Sequence, residues 1–250
     1  LLILTALVAA GIFMVVGGPG FVSASAAKRQ LPIYSVEREE KVCAISFDAA
    51  WGNEDTQALI DILGKYNVKA TFFVVGDWVD KYPESVKALH DAGHEVMNHS
   101  LHHDHYNALT ADQVVADVTA CNEKIAAITG VTPCLIRCPY GEYDDHVISA
   151  IRSMGMEPIQ WDVDSLDWKD LSASEITQRV TSKVQPGSII LFHNAALHTP
   201  EALPGIIEAL LKDGYTLVPA SELILPGTYN TDYTIDHVGR QMPCSNAAEG

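Results

Sequence analysis

The run Val42-Cys43-Ala44-Ile45-Ser46-Phe47, followed by Asp48, is short, apolar and typical of a strand buried on both faces. Six further runs of this kind are predicted as strands, at 70–75, 94–97, 135–137, 157–161, 188–192 and 215–218. Helical patterns separate them, at 53–66, 83–91, 110–129, 144–154, 172–184 and from 199 onward. The alternation of seven strands with helices predicts an α/β fold with a parallel sheet, closed or nearly closed into a barrel.

Polar residues stand directly after five of these predicted strands. In such folds the chemistry gathers at the carboxyl ends of the strands, so these side chains are expected to converge on one mouth of the barrel. They are Asp48, His99, Arg137, Asp164 with Asp167, and His193.

The stretch His99-Ser100-Leu101-His102-His103 places two imidazoles, His99 and His103, four residues apart just past a strand. This spacing suits two ligands of one metal ion, although about 0.4 such pairs are expected by chance in a chain with 10 His. His90 and His94 have the same spacing, but Gly93 between them ends a helix, so these two are expected to point apart.

Together these side chains are the types of catalytic group that a metal-dependent hydrolase requires. A bound divalent metal polarises a carbonyl and lowers the pKa of its water, a carboxylate accepts the proton of that water, and a histidine protonates the leaving group.

The composition of the chain restricts the kinds of ligand that it is expected to bind. The formal charge of −16 and the pI near 4.8, without a Lys/Arg cluster, argue against nucleic-acid binding and favour a neutral sugar over a phosphate ester. The five cysteines are an odd number at irregular spacing, so no disulfide framework is predicted.

The chain is expected to divide into four parts. Residues 1–27 are interpreted as a signal peptide or membrane anchor, because the first 22 residues carry no charged side chain. Residues 28–40 are expected to form a linker, 41–220 the catalytic-type domain and 221–250 a C-terminal tail. The protein is therefore expected to be exported, facing the cell wall, with membrane contact only through its N-terminal segment.

Five motifs in order resemble those of the NodB-type polysaccharide deacetylases, carbohydrate esterase family 4. They are Ser46-Phe47-Asp48, His99-Ser100-x-x-His103, Arg137-x-Pro139-Tyr140-Gly141, Asp164-x-x-Asp167-Trp168 and Leu191-x-His193. The resemblance spans about 41–220, and the phrase at 46–53 is similar to the sporulation-associated branch. It implies a distorted seven-stranded (β/α) barrel and metal-dependent removal of acetyl groups from a linear amide of N-acetylated, peptidoglycan- or chitin-like glycan.

The resemblance also implies roles for the acid and base groups. Asp48 corresponds to the general base, and Arg137 to the partner that keeps its carboxylate ionised. His193 corresponds to the general acid, oriented by Asp167.

The remaining motif positions concern the metal and the substrate. His99 and His103 correspond to ligands of a divalent metal, zinc first and cobalt as an alternative. The Tyr140 backbone N–H corresponds to an oxyanion donor, while Trp168 and Leu191 wall the acetate pocket.

Ala49 departs from the family pattern, which has a second, metal-binding Asp at this position. A methyl group cannot be a ligand, so three outcomes are open: water fills the position, Asp48 turns to the metal, or Asp104, His102 or His105 substitutes. Two functional hypotheses follow, an exported metal-dependent N-deacetylase and a metal-poor, catalytically impaired member that binds glycan. An O-acetyl esterase is a third, weaker hypothesis.

Overall fold

The structure is a computed structural model that describes residues 29–244. The predicted signal peptide or anchor at 1–27 lies outside the described residues. Within 29–244, no helix combines the length and the apolar character needed to cross a bilayer.

The principal sheet is a curled, parallel half-barrel, which confirms the predicted fold class. Its strands along the sheet run in the order β6-β5-β4-β3-β2-β8-β7, and β9 pairs with the start of β2. They are β2 Val42–Ala49, β3 Thr71–Val74, β4 Glu95–Asn98, β5 Leu135–Ile136, β6 Glu157–Pro158, β7 Val163–Asp164, β8 Ile189–His193 and β9 Thr216–Leu217.

The longer helices cover the outer face of this sheet, whereas the last, short helix packs against its inner face, where the Ala220 N–H donates to the Thr71 hydroxyl at 2.8 Å. The helices are α1 Thr56–Lys65, α2 Gly76–Lys81, α3 Pro83–Asp91, α4 Ala111–Thr129, α5 Asp145–Ser153, α6 Ala173–Thr181, α7 Thr199–Lys212 and α8 Ala220–Leu223. Short 3₁₀ turns at Tyr106–Ala108, Pro139–Gly141 and Asp167–Lys169 follow strands at the functional end.

Strand alternation sorts β2 into two faces. Phe47 and Ala49 pack into the apolar layer between the sheet and the helices, where both are almost completely buried. Ser46 and Asp48 face the inside of the half-barrel, where both receive hydrogen bonds from Arg137. Strand β2 therefore places the carboxylate of Asp48 at the open end of the barrel interior.

A second, small sheet was not predicted. It has the order β1-β11-β10, with β1 Ser35–Val36, β10 Tyr233–Ile235 and β11 Arg240–Pro243. Ile33 and Val36 are fully buried in a cluster that also contains Tyr233 and Ile235. The segments expected to be a linker and a tail thus pair with each other and pack on the half-barrel, because their few apolar residues complete its core.

Candidate active site

A cavity of about 380 Å³ opens at the carboxyl ends of the strands. Seven of the nine residues predicted from the sequence line it: Asp48, His99, His103, Tyr140, Trp168, Leu191 and His193. The other two, Arg137 and Asp167, lie behind this wall and contact Asp48 and His193. The topology thus brings together residues that are far apart along the chain.

Asp48 and Arg137 form a buried ion pair. The Arg137 Nη1 atom donates to Asp48 Oδ1 at 2.7 Å, and its Nη2 atom donates to Ser46 Oγ at 2.9 Å and to the Gln160 carbonyl at 3.1 Å. The guanidinium also lies 4.2 Å from the centre of the Phe73 ring. Burial alone would raise the pKa of Asp48, but the charge of Arg137, assisted by the nearby imidazoles, holds it below its ordinary value. Asp48 is therefore an anion that can accept a proton through Oδ2.

His193 and Asp167 form a second pair on the opposite wall. The His193 Nδ1–H donates to Asp167 Oδ1 at 2.8 Å, while the His193 backbone N–H and the Thr199 hydroxyl donate to Oδ2 at 2.8 and 2.7 Å. Burial alone would lower the pKa of His193, yet the bond to Asp167 and the surrounding carboxylates raise it. This arrangement directs Nε2 away from Asp167 and favours an imidazole that can deliver a proton.

His99 and His103 face each other with ring centres 5.0 Å apart. The His99 Nδ1 atom is 2.7 Å from the Arg137 carbonyl, which fixes the tautomer and leaves Nε2 directed toward Asp48 Oδ2, at 3.5 Å. Burial lowers the pKa of both imidazoles, that of His103 to about 4. Both side chains are neutral at pH 7, as metal ligands must be.

A third ligand is missing from this pair. Among residues 29–244, no group of three or more His, Cys, Asp or Glu side chains is placed to hold a metal ion. The neighbours considered as substitutes are engaged elsewhere or exposed: His102 pairs with Asp77 at 2.9 Å, His105 pairs with Glu142 at 2.9 Å, and Asp104 is exposed. The donors present do not fit the three-ligand site of a catalytic zinc.

Several non-glycine residues at the functional end have a left-handed backbone. They are Ser100, His103, Tyr140, Leu166 and Ala195, with φ between 54° and 76°. Tyr140 occupies this conformation inside the Pro139–Gly141 turn, and its half-exposed ring lies between the rings of His103 and His105. Such strain costs energy and is concentrated at sites where loops must hold a particular shape.

Two tryptophans of the cavity wall, Trp51 and Trp161, were not predicted as part of the site. Trp51 lies in the loop directly after β2 and stacks on His193. The Trp161 ring is 5.6 Å from the Arg137 guanidinium. Trp51 had a sequence signal, since it stands three residues after Asp48, whereas Trp161 is the last residue of the run 157–161, which was predicted only as a strand.

A curled (β/α) half-barrel with a carboxylate, two imidazoles and a histidine paired with Asp167 at one mouth defines a hydrolase scaffold of the deacetylase type. Residues 35–159 match the family model described as "Polysaccharide deacetylase". The chain belongs to this family, NodB-type carbohydrate esterase family 4, whose members are in general metal-dependent.

Three similar proteins illustrate the family. The chain is 32% identical to the peptidoglycan-N-acetylmuramic acid deacetylase PdaA of Bacillus subtilis, over 76% of this chain and 74% of PdaA. It is 34% identical to the uncharacterized protein YlxY of Bacillus subtilis, over 77% of this chain but only 60% of YlxY. Among solved structures, the wild-type BA3943 protein of Bacillus anthracis, a family-4 pseudoenzyme, has a TM-score of 0.74 at 34% identity, covering 77% of this chain and 68% of BA3943. A BA3943 mutant is described as having restored enzymatic activity.

Proposed function

We propose that this chain binds N-acetylated glycan of the peptidoglycan or chitin type in its cleft, with amide hydrolysis limited by an incomplete metal site. The observation that carries the proposal is the donor set: two neutral imidazoles, His99 and His103, with Ala49 at the sequence position where the family pattern has a metal-binding Asp. In the same proposal the protein acts outside the cytoplasmic membrane, on the cell wall of a spore-forming bacterium. The similarity to PdaA and to the pseudoenzyme BA3943 supports this assignment.

The cleft suits a neutral sugar. Trp51, Tyr140 and Trp168 are each about half exposed at its rim, and aromatic faces of this kind can pack against the apolar face of a pyranose ring. Trp168 and Leu191 form the wall against which we place the acetyl group.

N-deacetylation is the second candidate, favoured by the two intact charge pairs. In this reaction Asp48 accepts the proton of the attacking water, and His193 Nε2 delivers a proton to the leaving amine. The Tyr140 backbone N–H donates to the developing oxyanion. His99 and His103 would be the side chains available to a divalent metal, zinc first.

Replacement of Ala49 separates the two candidates. Wild type, Ala49→Asp and Ala49→Asn are compared for zinc content, zinc affinity, affinity for N-acetylglucosamine oligomers and acetate release. Asn matches Asp in size and polarity but has no carboxylate, so it controls for the cost of a polar group at a buried position. Only the Asp variant is expected to gain metal affinity, by about 10- to 100-fold or more, together with acetate release.

The wild type is expected to bind the oligomers and to release little acetate. A wild type that already matches Ala49→Asp in metal content and acetate release would establish the second candidate instead. A wild type that binds no N-acetylated oligomer would contradict both.

A further inference from the structure

The indole of Trp51 and the imidazole of His193 are stacked with nearly parallel planes and offset centres. The two ring centres are 5.7 Å apart and the planes are inclined by 13°. Trp51 itself is 47% exposed, whereas the His193 side chain is only 13% exposed. The more exposed indole therefore lies beside the more buried imidazole, at the solvent-facing rim of the cavity.

The loop that carries Trp51 is fixed to the loop after β8. The Gly52 carbonyl accepts hydrogen bonds from Trp78 Nε1 at 2.8 Å and from Asn194 Nδ2, and the Ala195 N–H donates to Asp55 Oδ2 at 2.9 Å. The bonds from Asn194 and Ala195 join the segment that carries Trp51 with the residues next to His193, and the bond from Trp78 fixes the same segment to α2. The stacking of the two rings thus follows from the backbone and does not depend on the indole alone.

We propose that Trp51 is a positioning residue for His193: its indole fixes the imidazole plane and keeps water from the hydrogen bond between Nδ1–H and Asp167. An imidazole held on one edge by Asp167 can still swing about its bond to Cβ, and a stacked ring on its face opposes this motion. The role of His193 as general acid rests on the proposed function, whereas the shielding of its hydrogen bond does not.

The test follows the His193 Nδ1 proton by NMR in the full chain with ¹⁵N-labelled histidine. In Trp51→Ala this proton is expected to exchange with water about 2- to 10-fold faster, the range that corresponds to loss of one aromatic contact. Trp51→Phe retains a ring in the same place and is expected to restore slow exchange. Trp51→Leu, which keeps an apolar side chain without an aromatic face, is the second variant if the Ala variant does not fold, and the same direction is expected.

Trp168→Ala is the matched control, because Trp168 is 52% exposed on the same rim. It is expected to leave the exchange rate of this proton unchanged. Equal exchange in wild type and Trp51→Ala, equal acceleration in Trp168→Ala, or a proton already in fast exchange in wild type would overturn the proposal. Oligomer affinity, measured on the same variants, reports separately on the proposed function, because the exchange rate requires neither glycan nor turnover.

Discussion

Asp48 and Arg137 depend on each other for a reason that is independent of catalysis. Arg137 is fully buried, and a buried guanidinium without its carboxylate is expected to destabilise a fold by about 3–5 kcal/mol. Asp167 is similarly engaged, since it accepts from the His193 backbone and from Thr199. The stability of the fold therefore accounts for the presence of these residues whether or not the protein turns over a substrate.

His94 gives the fold a testable dependence on pH. It is buried directly before β4, its Nδ1 accepts the Ala70 N–H at 3.2 Å, and burial together with the charge of Lys69 lowers its pKa to about 4. The unfolded chain binds a proton near the ordinary histidine pKa of about 6.5, whereas the folded chain does not until about pH 4. Because the unfolded chain takes up this proton first, the free energy of unfolding decreases as the pH falls, by roughly 2 kcal/mol at about pH 4.5.

The measurement is urea unfolding of wild type and His94→Asn between about pH 7 and pH 4.5. Asn can accept the Ala70 N–H through Oδ1 but does not titrate, and all other groups are common to both proteins. Wild type is expected to lose stability more steeply than the variant over this window. Parallel slopes would show that His94 charges as readily in the folded chain as in the unfolded one.

At the scale of elements, the turn at Gly187 is one of the contacts that join the small sheet to the half-barrel. Gly187 precedes β8, its N–H donates to the Val42 carbonyl at 2.7 Å, and its carbonyl accepts the Val36 N–H at 2.9 Å. Its φ is +83°, and a Cβ atom at this position would lie 1.7 Å from the Val36 carbonyl oxygen. Only glycine allows β1 to approach this turn so closely.

Gly187→Ala is accordingly expected to destabilise the protein by at least about 3 kcal/mol in urea unfolding. Gly155→Ala is the matched control, because Gly155 also has a positive φ, +75°, but has no atom within 4 Å of the added Cβ. Gly155→Ala is expected to lower the free energy of unfolding only by the backbone strain, about 1–2 kcal/mol. Similar losses in the two variants would mean that β1 moves aside without cost.

Elements with complete local signals were predictable from the sequence. The capping boxes at Thr110 with Gln113 and at Ser172 with Glu175 begin α4 and α6, and Gly130 ends α4 in the left-handed conformation. The strands that were missed, β1, β7, β10 and β11, lie outside the alternation of strand and helix that located the equally short β5, β6 and β9. Their pairing is set by partners that are distant in sequence, so it becomes visible only in the folded chain.

For the whole molecule, the rule that polar residues after parallel strands share one mouth located the site. It could not supply the directions of side chains, which depend on neighbours from other elements. His102 and His105, for example, point to Asp77 and Glu142 and do not join His99 and His103. Trp51 was missed for the same reason, since its partner His193 is brought beside it only by the pairing of β2 with β8.

The charge of the whole molecule makes a final prediction about ligands. The chain carries a formal charge of −16, and the carboxylates of Asp48 and Asp164 line the cleft, whereas no Lys or Arg side chain in the described part of the chain does so. Binding of an uncharged N-acetylglucosamine oligomer should change less than about twofold between about 0.05 and 0.5 M NaCl, because no ion pair forms. An otherwise similar oligomer with free carboxylates should bind more weakly at low salt and gain affinity as the screening length falls from about 14 to about 4 Å.

Asp164→Asn provides the matched variant for this titration. Asp164 Oδ1 accepts the Leu166 N–H at 2.8 Å, and an Asn side chain can retain that bond while it removes one charge from the rim. The variant should raise the low-salt affinity for the carboxylated oligomer and leave the uncharged oligomer unaffected. If binding of the uncharged oligomer instead weakens steadily as the salt concentration rises, the oligomer makes an ionic contact with the protein. The recognition surface would then lie outside this cleft.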